Sequence, residues 1–523
     1  MMPSPATRSG SRLELLPAFR SELSKFRTVR GWVVGLVLGG GLLVLFAFLT
    51  ANGMHTGTCN PAPNGTPVCV AGHPYVPTGP AGEGVADSYF LVSRQLSADA
   101  TLTARVTGLS GVTSSAPVNA APSSASTRPG VASWAKAGII VVTGPRAGAA
   151  YAAVMATPGH GIRFQYDYTH DVGGPGGAVS ASSPRWLRLR RHGDVVSGYA
   201  SRNGRSWQLV GSAELAGLPS SARIGLFVTS PVTSDGLATL ATGVFDHVSV
   251  VGKSRSSGWR GHATGAGRND FYSTLGAGGF RRAGSVFTIR GSGDIAPAVT
   301  AGADTAANIL LQPLVFALLV IIVVATLFST SEYRRGLVRT TLSAIPGRTT
   351  ALIAKVLVVG LAAFVTGVAA AAVAIPLGTH LMSVNGNYVL RSGGATEIRM
   401  ILGCGALLAF TSIAVSATGV IVRTTAGTLI AGILMFVLPL IVAVPYFQGS
   451  GSAPGWLESL LRISPAAGIA VFGALPRSHV VSYPYTIGHG YFPLSPPAGL
   501  AILAAWALGL VLVAGVLVQR RDA

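Results

Sequence analysis

Six uncharged apolar runs stand out along the chain, at 31–50, 306–328, 356–378, 400–422, 425–444 and 497–518, and none has Asp, Glu, Lys, Arg or His in its interior. Each is long enough to carry a helix across a bilayer, which takes ~20 residues. Between the first two runs the period changes. Thr101-Leu102-Thr103-Ala104-Arg105-Val106 and Ile162-Arg163-Phe164-Gln165-Tyr166 alternate polar with apolar, the two-residue period of half-buried strands. Arg185-Trp186-Leu187-Arg188-Leu189-Arg190 puts Trp186, Arg188 and Arg190 on one face and Leu187 and Leu189 on the other. His192-Gly193-Asp194 and Asn203-Gly204 fall between such runs, where tight hairpins require them. Further strands are predicted at 207–210, 224–229 and 244–251, with a loop at 115–130. Many short strands at roughly even spacing predict a sandwich, and the lack of βαβ alternation argues against a Rossmann domain. The expected fold class is a multi-pass α-helical membrane protein of six spans, with an all-β sandwich inserted between spans one and two.

Composition sharpens this picture. Hydrophobic residues make up 49% and charged residues 11%, against roughly 25% charged in soluble proteins. The net charge of +20 would suit nucleic acid, but its placement argues otherwise. Arg8, Arg12, Arg20, Lys25, Arg27 and Arg30 precede the first run, and Arg334, Arg335, Arg339 and Arg348 lie between the second and third. These are short segments beside spans, where the positive-inside rule operates. It places 1–30 and 329–355 in the cytoplasm, 51–305, 379–398 and 447–496 outside, and Arg423 in a tight inner turn. Both termini are then cytoplasmic, in a protein of the cell membrane. The first run reads as an uncleaved anchor, because no A-x-A-like site follows it.

Candidate chemistry is sparse. Cys59 and Cys69 lie in a Pro/Gly/Asn-rich loop past the first run, where an oxidising exterior favours a small disulfide. Cys404 reads as a small buried hydrophobe. No metal-ligand set, cofactor motif or catalytic constellation is read. Gly252-Lys253-Ser254 fails as a phosphate loop, since His247 stands where the motif needs Gly. Spans without ionisable interiors argue against an ion-coupled carrier, so energy for moving a solute would come from a separate polypeptide. Two segments suit such a partner. Residues 13–30 place Leu15, Phe19, Leu23 and Phe26 on one helical stripe beside basic groups, fit for membrane lipid at the inner interface. Residues 331–342 are charged and lie inside. An ordinary juxtamembrane helix and a solvated loop are the alternatives.

Glu332-Tyr333-Arg334-Arg335-Gly336, then Arg339-Thr340-Thr341-Leu342, Pro346, Arg348 and Lys355 resemble the type-2 ABC exporter permease pattern. There a cytoplasmic segment after the second span begins Glu-Tyr-Arg-x-Gly, runs through Thr-Leu to Pro-x-Arg, and a Lys opens the third span. Glu22-Leu23-Ser24-Lys25-Phe26-Arg27-Thr28-Val29-Arg30 is similar to the family's N-terminal helix, and Arg520-Arg521-Asp522 is a third match. The resemblance covers 14–50 and 306–523. It implies a permease that works as a dimer of six-span units with a separate ATP-binding subunit. Glu332, Tyr333, Arg334, Arg335, Gly336 and Arg339 would form the coupling contact. The departure is the very long first outer loop.

A second resemblance covers most of 85–252. Trp134-Ala135-Lys136-Ala137-Gly138, Gly161-Ile162-Arg163-Phe164-Gln165-Tyr166, Pro184-Arg185-Trp186-Leu187-Arg188-Leu189, Trp207, Ile224-Gly225-Leu226 and Phe245-Asp246-His247-Val248-Ser249-Val250 look like a concanavalin-like jelly-roll module of secreted carbohydrate-active proteins. A glycosidase needs two carboxylates about 5–9.5 Å apart. Asp167, Asp171, Asp194 and Asp246 stand in no paired motif, so the chain is expected not to be an enzyme. Cell-wall glycan is an expected partner, through stacking on Trp186 or Tyr166, with burial in the core as the alternative. Arg163, Arg188 and Arg190 suit anionic wall polymer or lipid headgroups, or simply a solvated sheet face.

The expected organisation is a cytoplasmic amphipathic helix at 1–30, a first span at 31–50, an outer linker at 51–84, the sandwich at 85–252, a linker back at 253–305 and a five-span domain at 306–523. The expected function is export. The alternative is a membrane-anchored extracellular sensing or adhesion protein that uses the spans only as a base.

Overall fold

The computed structural model describes residues 11–54, 57–61, 67–71, 77–117, 126–219, 222–233, 237–254, 258–265, 275, 278–297, 304–334, 347–390, 392–447, 455–474, 478–481 and 494–520. Among them, six helices are long and apolar enough to cross a membrane: Arg30–Gly53, Ala307–Tyr333, Arg348–Val384, Gly394–Val422, Thr425–Ala443 and Pro496–Arg520. A helix pairs its own backbone N–H and C=O groups, which hydrocarbon would otherwise leave unsatisfied. Val37, Leu38, Leu361, Val365, Leu508 and Leu512 stay exposed along these helices, on faces that neighbouring helices leave uncovered.

Helix α1 (Ser11–Thr28) turns at Val29 into α2 (Arg30–Gly53). A hairpin follows, β1 (Gly57–Pro61) and β2 (Pro67–Ala71), whose register sets Cys59 opposite Cys69. The two cysteine side chains, and with them the expected disulfide, lie outside the described residues.

The strands then run from β3 (Val85–Asp87) through β4 (Tyr89–Pro117), β5 (Thr127–Pro129), β6 (Lys136–Val142), β7 (Tyr151–Thr157), β8 (Gly161–Tyr166), β9 (His170–Gly173), β10 (Arg185–His192), β11 (Val195–Ser201), β12 (Gln208–Glu214), β13 (Arg223–Thr229), β14 (Leu237–Ser254), β15 (Arg260–Thr264), β16 (Gly279–Ala283) and β17 (Val286–Gly291) to β18 (Ile295–Pro297). Strand β4 serves two antiparallel sheets. Its first part pairs with β13 and β15 in the order β15-β4-β13-β6-β7-β8-β9, and its second part pairs with β10 and β14 in the order β12-β11-β10-β4-β14-β17-β16. The alternation read from sequence decides which side chains meet between the sheets. Leu102, Leu187 and Leu189 from one sheet and Ile139, Phe164 and Leu226 from the other are fully buried in a single cluster. Each such side chain contributes about 1.5–3 kcal/mol on burial.

Strands β6 and β7 are buried along their whole length. Their far face is covered by Val85, Tyr89 and Ile295, which pack on Ile140, Val142 and Met155. Lys136, fully buried, fastens this cover: its Nζ donates to Asp294 Oδ1 at 2.5 Å and to the Ile295 carbonyl at 2.6 Å. The stretch 253–305, expected as a linker, thus carries β15 to β18 and pairs into both sheets. It ends in β19 (Asp304–Ala306), which runs parallel to β20 (Tyr388–Leu390).

A 3-10 turn at Ala307–Leu311 opens the remaining helices: α3 (Leu314–Arg334), α4 (Arg348–Val384), α5 (Gly394–Val422), α6 (Thr425–Gly432), α7 (Leu438–Phe447), α8 (Gly455–Ile463) and α9 (Pro496–Arg520). A π-helical turn at Ile433–Val437 joins α6 to α7 in one apolar rod. Helix α2 packs on α3 and α4, α4 packs on α5, and α9 packs on α5. Helix α4 starts well before the apolar run at 356–378 and extends past it. The end of α2 is tied to the end of α4, where Asn385 donates to the Ala51 carbonyl at 3.0 Å and Asn387 to that of Met54 at 2.6 Å.

Candidate functional site

Three helices converge at the end of the bundle remote from the sandwich. Helix α3 leaves the strand region and, at 1.5 Å per residue, carries Glu332 about 27 Å along its axis from Leu314. There Glu332 meets Lys25, near the end of α1, and Lys355, two turns into α4. Glu332 Oε2 accepts from Lys355 Nζ at 2.5 Å, and its Oε1 accepts from Lys25 Nζ at 3.3 Å. Lys25 also donates to Glu22 Oε1 at 2.5 Å, one turn earlier on α1. The Glu332 and Lys355 side chains are 17% and 9% exposed, whereas Lys25 is 39% exposed. One arm of the cluster is therefore sheltered and the other is open to solvent. Glu22 Oε2 is buried with no hydrogen-bond partner among the described residues.

Aromatic rings floor the cluster. Phe328, one turn before Glu332, meets Phe26 edge-on at 5.3 Å and Trp32 at 4.9 Å. The Lys355 ammonium stands 5.7 Å from the Phe328 ring. Such neighbours exclude water and strengthen the ion pair. Tyr333 lies 5.6 Å from the guanidinium of Arg423, the left-handed residue that closes α5. The Thr330 and Thr425 hydroxyls are 3.0 Å apart, and Arg348 donates to the Val518 carbonyl at 3.3 Å. The end of α3 is thus clasped to α1, α4 and the α5–α6 turn, and α4 is clasped to α9.

Of the residues expected at a coupling contact, Glu332 and Tyr333 are placed, and both are half-buried inside the bundle. Arg334 ends α3; its side chain, together with Arg335, Gly336 and Arg339, lies outside the described residues. Lys355, which the resemblance sets at the opening of the third span, is buried, because α4 begins at Arg348 and puts it two turns inside the helix. The sequence names Glu22, Lys25 and Lys355 through the resemblance but does not show that they meet Glu332 in one cluster. Their opposite charges beside otherwise apolar segments were the available signal.

Trp186 and Tyr166 are not brought together. Trp186 stands half-exposed on β10, on the outer face of the second sheet. Tyr166 is on β8, on the same side as the buried Phe164, and stacks on His170 at 4.2 Å. Arg163 is committed to Asp171 on β9, which also accepts from Gln165 at 2.9 Å and from His479 at 2.7 Å. His479 belongs to the segment between α8 and α9, so the helical region touches the sandwich there. Val480, 3% exposed, packs beside it on Trp134 and Ala296.

No protein-family model matches the chain, and no curated protein matches it. Among solved structures, the chain is similar to scytalido-glutamic peptidase bound to a transition state analog inhibitor, with 13% identity over 39% of this chain and 98% of that one, at a TM-score of 0.27. It is also similar to SCP-B, a member of the eqolisin family of peptidases in complex with the tripeptide Ala-Ile-His, with 9% identity over 39% and 98%, at a TM-score of 0.23. A functionally unknown protein from Saccharomyces cerevisiae matches with 16% identity over 38% and 96%, at a TM-score of 0.20. Peptidases among these neighbours overturn the expectation that the chain is not an enzyme, and that expectation is withdrawn. At these TM-scores the likeness assigns no activity, substrate or catalytic residue to the chain.

Proposed function

We propose that this chain is the membrane permease subunit of an ABC exporter. The observation that carries the reading is the Lys25–Glu332–Lys355 bridge. The residues picked out by the permease resemblance, from three separate stretches of sequence, fold into one ionic cluster at one end of the bundle. In this reading that end is cytoplasmic, and the sandwich is a jelly-roll, concanavalin-like domain outside the cell membrane. A separate ATP-binding subunit drives the permease, which acts as a dimer or a paired unit.

The geometry supports a division of labour. Glu332 and Lys355 hold α3 and α4 as one unit, because separating a sheltered pair leaves a charge unpaired at a cost of roughly 3–5 kcal/mol. Lys25 is the looser and more exposed partner, so α1 is the element that can lift from Glu332 with less cost. A push on the segment after Arg334 reaches Glu332 directly and is passed to both neighbours. At the other end, the α8–α9 segment docks on the sandwich, so a shift in the bundle has a mechanical route to the outer domain.

The test is recovery of partners from mild detergent with tagged protein. An ATPase subunit retained by wild type and lost on Arg335→Ala supports the permease reading. Recovery of no ATPase from several detergents overturns it and leaves the anchored sensing or adhesion protein.

A further inference from the structure

The two sheets treat their outer faces differently. The first is covered by the segments around Val85 and Ile295. The second stays open, with Leu209 53% and Val251 68% exposed. Its register lines up three rows of side chains. Leu209, Tyr199, Arg188, Thr103 and Ser249 form one; Trp186, Arg105 and Asp246 form the next; Ser212, Ser197, Arg190, Thr101 and Val251 form the third. Successive residues on one face of a strand are about 6.6 Å apart, so Trp186, Arg188 and Arg190 repeat at that spacing along β10.

The groups around Trp186 and Arg188 on this face are posed rather than loose. The Arg105 fork grips Asp246 at 2.7 and 2.5 Å and lies 5.6 Å from the Trp186 ring. His247 meets the same ring at 5.2 Å. Gly204, at φ +72°, passes so near the indole that a Cβ there would lie 2.8 Å from it. A side chain at 204 would crowd the ring, and glycine avoids this. Arg188 lies over Trp207 at 3.8 Å and donates to the Thr103 hydroxyl at 3.2 Å. Among the described residues, no carboxylate lies within ion-pair distance of Arg188 or Arg190. Their charge is therefore available, in the planar fork that matches carboxylate and phosphate oxygens.

We propose that this face binds a linear anionic polysaccharide, with sugar rings against Trp186 and Trp207 and acidic groups at Arg188 and Arg190. Indole faces take the apolar C–H side of a pyranose, and the Ser and Thr hydroxyls match its hydroxyls. Two guanidiniums with no carboxylate partner among the described residues, two positions apart on β10, match a repeating charge. The proposal rests on the outer placement of the sandwich, not on export; the detergent pull-down tests export separately.

The full-length protein in phosphatidylcholine nanodiscs is titrated with polygalacturonate, phosphomannan, neutral dextran and polyphosphate, and mixed with phosphatidylglycerol vesicles. Saturable binding to polygalacturonate or phosphomannan is expected, the better of the two naming the acidic group. Arg190→Glu, at an exposed position, should weaken it at least tenfold, and Trp186→Ala similarly, with Trp186→Tyr restoring most of it. Arg146→Glu, in an exposed loop elsewhere on the sandwich, should leave it unchanged. Equal binding to dextran would overturn the need for charge. Equal binding to polyphosphate, insensitive to Trp186→Ala, would overturn recognition of sugar. Capture by the vesicles without binding to either polysaccharide would make the face a lipid contact and overturn the proposal.

Discussion

The Lys355 ammonium reaches across from α4 to donate to Glu332 on α3 at 2.5 Å, with both side chains sheltered. Breaking one side of such a pair leaves a buried charge alone, which costs roughly 3–5 kcal/mol, whereas replacing both partners by apolar residues of similar volume is often neutral. Glu332→Ala and Lys355→Ala should each lower the thermal midpoint of the detergent-solubilised protein. The double variant Glu332→Leu with Lys355→Met should recover most of that loss. A double variant as unstable as either single one would mean that the pair does not act as a unit.

The Asp87 carboxylate is buried in the sandwich and accepts from the Gly148 N–H at 2.8 Å. Burial pushes its pKa up to about 6, against hydrogen bonds from Gly148 and Tyr168 that pull it down. The folded state thus keeps a proton that the unfolded state releases near pH 3.8. The stabilisation from this group is full below that pH, falls as the pH rises towards about 6, and is then lost. The fall is about 3 kcal/mol, at ~1.4 kcal/mol per unit. Asp246, held below the usual carboxylate range by hydrogen bonds from Arg105, gives the opposite slope at lower pH. The expected signature is therefore a difference: Asp87→Asn should gain on wild type between pH 4 and 6 in thermal unfolding. Parallel curves would refute the assignment.

Much of this architecture was legible in the sequence, for physical reasons that also explain the gaps. Hydrocarbon demands long uncharged runs, so the six spanning helices announce themselves. A sheet with one face in the core demands alternation, so Leu102, Leu187 and Leu189 were placed on the correct side. Period alone does not say which sheet a strand joins, so nothing in Tyr89–Pro117 announced that β4 crosses from one to the other. Of the strands after 252, Phe287-Thr288-Ile289-Arg290 reads as a short strand and is the middle of β17, whereas the others are hidden by a Gly/Ser/Arg-rich composition that resembles a linker; their order comes from tertiary pairing, not from local propensity. Lys355 stands at the edge of its apolar run, and nothing local in the sequence says that Glu332 on another helix shelters it. The Trp186 and Arg188 face was visible as alternation, but whether it would be covered depended on where distant segments folded.

Helices α4 and α5 approach closely at Gly367 and Gly405. A Cβ on Gly367 would lie 2.8 Å from the Gly405 Cα and 3.0 Å from the Cys404 carbonyl, and one on Gly405 would lie 2.6 Å from Val368 Cγ2. Backbone cannot give way as a flexible side chain can, and small residues are what let helices touch in a membrane. Gly367→Val should cost ~1–3 kcal/mol or more and remove most of the monodisperse peak in size-exclusion chromatography. Gly515→Val on α9, where nothing lies within 4 Å, should leave the peak intact. Equal behaviour of the two variants would count against this packing.

Where the α8–α9 segment meets the sandwich, two neighbouring residues contribute unequally. His479 donates to Asp171 from an exposed position, and exposed pairs are worth ~0–1 kcal/mol. Val480 is buried against Trp134 and Ala296, and Trp134 is itself stacked on His160 at 3.7 Å. Val480→Asp would set an unpaired carboxylate against the indole and should release the segment, whereas His479→Ala should barely loosen it. The readout is amide hydrogen exchange across 295–297, the strand that Ala296 shares. A rise of tenfold or more is expected for Val480→Asp, equivalent to ~1.4 kcal/mol, with little change for His479→Ala. Sites far apart with no shared partner are nearly independent, so exchange around Glu332 should not move in either variant. Loosening at both ends together would instead show that the docked segment and the ionic cluster are coupled through the bundle, and unchanged exchange at 295–297 would show that Val480 does not hold the dock.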